Sequence, residues 1–378
     1  MEDSNDRRHR LRQSPIGSTR FLAYPWAQLL TDWVKRVPAP YQGQPLTELE
    51  MLLDVEVLPF MLQQSRSLRL HDDISDMLYV RTLYNIRMES LCFGAFVAAG
   101  RETFAFSPGL ASELRHTDIR DARLDMLRLP YPAFFVHFGR QHGIEIDDDQ
   151  RRTPEIFDGA FVWQSNDGTL QLALTFSRAD GPSSGLAGPV CLIGPELLSL
   201  PADDAVRRGL ERCATESLET QLELVSDDDS RRELEKQVAS FSGAVEDAAN
   251  LVVNSLFYLT SYGGQGDAVP EPSTPQLLAE KLQRARNAKQ QREARNAIQK
   301  AGFTLVRLCG ADIPERSQER GTEAGQAVSA AIRAHWRRGH WRNQRYGQAL
   351  SLEKLIWVRP TLVAAGRESI EGRTYAVQ

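Results

Sequence analysis

Between residues 159 and 176 two apolar runs, Phe161-Val162-Trp163 and Leu170 to Phe176, flank Asn166-Asp167-Gly168. Glycine and asparagine tolerate positive φ, which a tight turn between two strands demands, so this stretch is predicted to be a β-hairpin. A hairpin with two such faces needs partners. The nearest is Phe134-Phe135-Val136-His137-Phe138, an aromatic and β-branched run introduced by Leu129-Pro130-Tyr131-Pro132. Pro189 to Pro195 reads as another short strand, as do Phe303–Leu308 and Leu355–Val358, and Tyr375 with Val377 could form an edge strand.

Helical periodicity occupies most of the rest. Trp26, Leu29, Leu30 and Trp33 form one short apolar face; a second helix starts near Thr47 and meets Pro59; Ile74 to Ala95 gives a long one. A helix is expected from Asp203 to Leu224, with Asp203 and Asp204 at its positive end. Another bears Val238, Phe241, Val245, Ala248, Val252 and Leu259, and a third spans residues 323–334. The Gly/Pro/Ser stretch from Tyr262 to Pro275 reads as an exposed loop, followed by one very polar helix ending at Lys300. The expected fold is α+β: a helix-rich single domain over residues 21–378 with a small antiparallel sheet, preceded by a disordered basic arm at 1–20, its one candidate internal boundary at 262–275.

The longest uncharged run, Ala248 to Gly266, contains Asn250, Asn254 and three glycines, which suits a buried helix better than a membrane span. No apolar stretch near the N-terminus suits a signal peptide, and the four cysteines, Cys92, Cys191, Cys213 and Cys309, lie too far apart for a metal motif or a short disulfide framework. Buried thiols in the cytoplasm, with no membrane partner, are the expectation.

The net charge of −5 conceals a segregation. Five arginines between residues 7 and 20 meet no acid, seven bases between Lys281 and Lys300 meet Glu293 alone, and five arginines between Arg333 and Arg345 meet no acid. Local basic faces of this kind can bind phosphate on a chain that is acidic elsewhere.

The least ordinary segment holds Arg333, His335, Trp336, Arg337, Arg338, His340, Trp341, Arg342, Arg345 and Tyr346. Arginine forks match phosphate and carboxylate, and flat rings stack on bases or receive a peptide, so these ten residues are the candidate binding site. The plainer alternative is that Trp336 and Trp341 fill the core while the arginines pair with acids. His335 and His340 lack further metal ligands nearby, and Asp147-Asp148-Asp149 and Asp227-Asp228-Asp229 read as loop or cap acids. The basic face of the 281–300 helix could follow RNA phosphates, or be only a solvated surface. There is no Gly-Lys-Ser/Thr loop, nucleophile elbow, His-Glu-x-x-His or dinucleotide fingerprint. No cofactor, metal or catalytic residue is assigned, and the residues set no oligomeric state.

Arg337-Arg338-Gly339-His340-Trp341, followed by Trp357-Val358-Arg359-Pro360 and a Val/Ala/Gly tail, resembles the phage- and plasmid-borne family of a type V-A anti-CRISPR inhibitor, the AcrVA2-like proteins. Leu129-Pro130 before Phe134-Phe135-Val136, Gly159-Ala160-Phe161-Val162-Trp163 and the helix around Leu78 to Tyr84 are similar too, so the likeness spans most of 70–366. The resemblance implies a protein that is not itself a nuclease. It implies recognition of the N-terminal peptide of a CRISPR nuclease as it emerges from the ribosome, and loss of the translated messenger. The leading expectation is therefore a mobile-element regulator that binds a nascent peptide or the translating ribosome. Aromatic strands with Trp336, Trp341 and Trp357 would supply the peptide groove, and the arginines would touch RNA phosphate. Trp357, in an apolar strand, is also expected to support the core. The alternatives are a general RNA- or DNA-binding protein without peptide specificity and, behind it, a nuclease with scattered carboxylates.

Overall fold

The computed structural model describes residues 95–96, 99–146, 154–165, 167–178, 187–224, 228–229, 231–232, 242–264, 268–271, 274–313 and 335–363. The arm at 1–20, the expected helices at 26–33, near 47 and at 323–334, nearly all of the one at 74–95, and the expected strand at 375–377 lie outside them.

The strands β1 (Glu102–Phe106) and β3 (Ala133–His137) are buried at every position, which a strand achieves only when both faces of its sheet are covered. The sheet is mixed. Its order is β7-β6-β5-β3-β1-β9-β8, with β4 (Glu145–Ile146) beside β5, where β5 is Glu155–Gln164, β6 Leu170–Arg178, β7 Ala187–Ile193, β8 Val269–Pro270 and β9 Leu305–Cys309. β1 runs parallel to both β3 and β9, and the remaining pairings are antiparallel. The fold is α+β as expected, but the sheet has eight strands and a parallel centre where a small antiparallel one was predicted. The period-2 runs in the sequence identify strands but hold no information about partners two hundred residues away.

The predicted hairpin is present: β5 and β6 pair from Glu155↔Arg178 to Gln164↔Leu170, and Gly168 takes φ +89° in the turn. The loop expected at 262–275 is less exposed than its composition suggests. Ala268, Val269, Pro270 and Glu271 are buried, and β8 pairs with β9.

One sheet face packs on α3 (Ser242–Tyr262), the long uncharged run: Phe104, Phe106, Phe134, Val136 and Phe157 meet Val252, Leu256 and Phe257 in one core. Ala133, Trp163, Ala173 and Val190 form a second cluster with Cys213 of α2 (Ala202–Leu224), as alternation along the strands requires. The helix α1 (Pro108–Arg115) follows β1, with Ser107 accepting the Leu110 N–H as N-cap and Pro108 in its first turn. Where one polar helix was expected there are two, α4 (Gln276–Gln283) and α5 (Ala288–Lys300). Asn287 caps the second, accepting from the Gln290 N–H at 2.9 Å. Cys191, Cys213 and Cys309 are buried, and burial pushes the Cys191 thiol well above its ordinary value. Among the described residues no helix is long and apolar enough to cross a membrane.

Candidate functional site

Past residue 335 the chain forms β10 (His335–Arg337), β11 (Gly339–Tyr346), β12 (Leu352–Val358) and β13 (Thr361–Val363). β11 and β12 make an antiparallel hairpin in which Trp341 faces Trp357 and Tyr346 faces Leu352. β11 continues into a short parallel pairing with β2 (Thr117–Asp118), while β10 pairs with β13.

The two tryptophans hold this hairpin on the body. Their rings stack 5.8 Å apart, Trp341 against Phe257 and Trp357 edge-on to Tyr258 of α3. A buried indole N–H needs an acceptor. That of Trp341 donates to Asn254 Oδ1 at 2.7 Å, and that of Trp357 to Thr117 Oγ1 at 3.0 Å. Asn254 Nδ2 donates in turn to the Thr117 carbonyl at 3.0 Å, and the Thr117 hydroxyl donates to the Glu113 carbonyl at 2.8 Å, so the network closes without an idle partner. Arg359 reaches the buried Glu113 carboxylate through two bonds of 2.7 Å while lying 5.7 Å from the Trp357 ring. Gly339 is needed for contact: a Cβ there would stand 2.7 Å from Pro360 Cδ and from the Val358 carbonyl oxygen.

The ten residues singled out from the sequence therefore divide. Trp341 is fully buried and Trp357 nearly so, and rings this buried line no surface groove. His340 is half-buried. Arg337, Arg338, Arg342, Arg345 and Tyr346 are exposed, and His335 and Trp336 stand in β10 opposite Val363 and Leu362. Arg333 lies outside the described residues.

Alternation fixes the outward face of the hairpin as His340, Arg342, Gln344 and Tyr346 on β11, beside Leu352, Lys354, Ile356 and Val358 on β12. It is cationic and apolar at once. Tyr346, Leu350 and Leu352 are 40%, 60% and 51% exposed, and the Lys354 ammonium lies 5.4 Å from the Tyr346 ring. At the tip Gly347, Ala349 and Leu350 all have positive φ, a costly conformation for alanine and leucine that presents the Leu350 side chain to solvent. On the other face Glu353 binds Asn343 at 2.8 Å and Arg345 at 3.2 Å, and the Asn343 bond, ahead of Arg345, holds its carboxyl below the usual range. Arg342 donates to Gln344 at 2.8 Å. Among the described residues Arg337 and Arg338 form no ion pair, although Arg338 adds a minor part to the field that, with Arg120's hydrogen bonds dominating, holds Asp118 ionised. β12 has no strand partner on its outer edge among the described residues.

The sequence profile described as the AcrVA2-like, Anti-CRISPR type V subtype A2 family matches residues 104–365, which include the sheet, α3 and this hairpin. The chain belongs to the AcrVA2-like family. A solved structure titled "Crystal structure of AcrVA2" is 13% identical, with 96% of this chain and 99% of that chain covered at a TM-score of 0.36. No curated protein matches the sequence. In this AcrVA2-like chain the C-terminal signature is largely scaffold: Gly339, Trp341, Trp357, Arg359 and Pro360 dock the hairpin, and the arginines between them face solvent. Of the partners of that scaffold, Thr117 and Glu113 carry no sequence signal, whereas Asn254, which marks the uncharged run as a buried helix, is the kind of residue that signals a buried polar bond. Among the described residues there is no group of three or more His, Cys, Asp or Glu side chains that could hold a metal ion.

Proposed function

We propose that this chain is an anti-CRISPR regulator of mobile elements that recognises a peptide of a type V CRISPR nuclease during its translation in the cytoplasm and lowers the nuclease's messenger. Family membership supports the class of target. The observation behind the peptide reading is the outward face of the β11–β12 hairpin and its tip, where Tyr346, Leu350 and Leu352 stand exposed beside Arg342 and Lys354. An extended peptide adds main-chain hydrogen bonds along an unpaired strand edge and seats alternate side chains on such a face. Cations beside apolar groups favour a peptide of mixed apolar and acidic character. Arg337 and Arg338, exposed on the same C-terminal unit, supply contacts to phosphate or to the acidic part of the partner.

The test is co-expression with a nuclease gene in two altered forms, one with its first codons recoded synonymously and one with its N-terminal peptide changed. The messenger should fall with the recoded gene and recover with the changed peptide. Loss that follows the nucleotides, or no loss at all, would refute peptide recognition.

A further inference from the structure

The helices α4 and α5 lie on a different part of the molecule from the hairpin. They pack through Leu278, Leu282 and Ile298 on Ala268 and Leu305, at the β8–β9 end of the sheet. Arg101 donates to the Gly302 carbonyl at 3.0 Å, and Gln299 to the Gly100 carbonyl, so the pair is mounted firmly. Ala294 and Ile298 are the buried face of α5. At 100° per residue the opposite face holds Lys289, Arg292, Asn296 and Lys300, all exposed. Lys281 and Arg286 add to the same basic end; Arg284 pairs with Glu280 at 2.9 Å, and Glu293 is the other acid of the two helices.

This arrangement runs against helix stability. The first turn of α2 contains Asp203 and Asp204, which complement the positive end of a helix; α5 has no acid there. Its N-terminus is satisfied by neutral groups, Asn287 accepting from Gln290 N–H and Gln290 Oε1 from the Arg286 N–H, each at 2.9 Å. The positive helix end, Arg286 and Lys289 thus reinforce one another. α2 neutralises its Arg207 between Asp204 and Glu211, and α4 its Arg284 against Glu280, whereas among the described residues Lys289, Arg292 and Lys300 of α5 form no ion pair.

We infer that the α4–α5 face binds the phosphodiester backbone of a nucleic acid, without reading its sequence. Lys289, Arg292 and Lys300, spread along about 16 Å of one helix face, match a run of phosphates. Asn296, on the same face, provides hydrogen bonds to phosphate or sugar oxygens. A lipid surface is disfavoured, because the apolar side of α5 is already spent on Ala268 and Leu305. The inference stands apart from whatever the hairpin recognises. It would let a peptide-reading protein remain on a translating ribosome through ribosomal or messenger RNA.

The experiment measures binding of the full chain to fluorescent single-stranded RNA, duplex RNA and duplex DNA across a salt series. The comparison protein has Lys289→Glu, Arg292→Glu and Lys300→Glu. The native protein should bind at least one of the three with affinity falling steeply with salt. The triple variant should lose more than about tenfold and flatten the log–log salt slope by about 2 for single strands, three contacts at roughly 0.7 each. The single variant Lys289→Glu, which places an acid in the first turn, should be at least as heat-resistant as the native protein and still bind more weakly, which separates lost binding from lost folding. Whichever nucleic acid binds best identifies the source of the phosphates. Binding to none of them, or binding that the triple variant leaves unchanged, overturns the inference.

Discussion

The Trp341 indole N–H and the Asn254 side-chain carbonyl meet at 2.7 Å in the core, joining positions 87 residues apart. The other half of the same amide holds the Thr117 carbonyl, so one side chain ties α3 to both the hairpin and the strand beside it. Asn254→Ala would leave an indole N–H and a backbone carbonyl buried without partners. An unmet buried polar group costs about 1–3 kcal/mol, and together the two should cost about 2–4 kcal/mol. Urea denaturation followed by tryptophan emission measures this. A variant within about 0.5 kcal/mol of the native protein would mean that the bond does not support the hairpin.

Arg337→Ala with Arg338→Ala should leave stability within about 0.5 kcal/mol, because exposed arginines contribute little to folding. Partner association should fall sharply in the same protein. Calorimetric unfolding beside a pull-down with the proposed peptide ligand, the N-terminal segment of a type V nuclease, checks both halves; a double variant that unfolds would make these residues structural.

Gly339→Ala should loosen the hairpin without touching its tryptophans. The new Cβ would meet the Val358 carbonyl oxygen and Pro360 at 2.7 Å, and neither is the far end of a flexible side chain. Overpacking of this kind costs about 1–3 kcal/mol. Amide exchange should accelerate across 339–346 and 352–358 while α3 stays protected. Unchanged exchange would show that the docking tolerates the methyl group.

Glu102 offers a pH test. Burial pushes its carboxyl above the ordinary value of 4.5, with Arg307 and Arg295 opposing. The native state then holds this proton more tightly than the unfolded chain. The contribution of the group is full below 4.5 and is lost as pH rises from there through the raised native value. Glu102→Gln cannot titrate, so its stability relative to the native protein should improve between about pH 4 and 7 in a urea series. The opposite trend would mean that the Arg307 pair, at 3.5 Å, outweighs burial.

Local signals were readable wherever the sequence itself dictates geometry. Gly168, with φ +89°, turns the hairpin that Trp163 and Leu170 flank, and β6 and β7 follow from apolar runs of strand length. The break between α4 and α5 was missed because alanine and arginine propagate a helix well, and only Asn287, the cap, marks the stop. β8 was missed because Val269-Pro270 is two residues long and owes its place to β9. Among the site residues, the sequence located the unusual segment but not its division. Trp341 and Arg342 are neighbours that point to opposite faces, and only the register against Trp357 and Ile356 tells which one the core takes.

The parallel contact of β1 with β9 bears on the birth of the molecule. Ser107, at the end of β1, donates its hydroxyl to the Gly310 carbonyl 203 residues later. At translation speeds of about 5–20 residues per second, roughly 10–40 s pass between synthesis of the first strand and of the second. Throughout that interval the central strand has a bare edge of unpaired amides beside Phe104 and Phe106, the kind of template on which chains aggregate. Fragments ending before Leu305 should therefore collect in inclusion bodies, and slower synthesis at low temperature should not rescue them, since the missing strand never arrives.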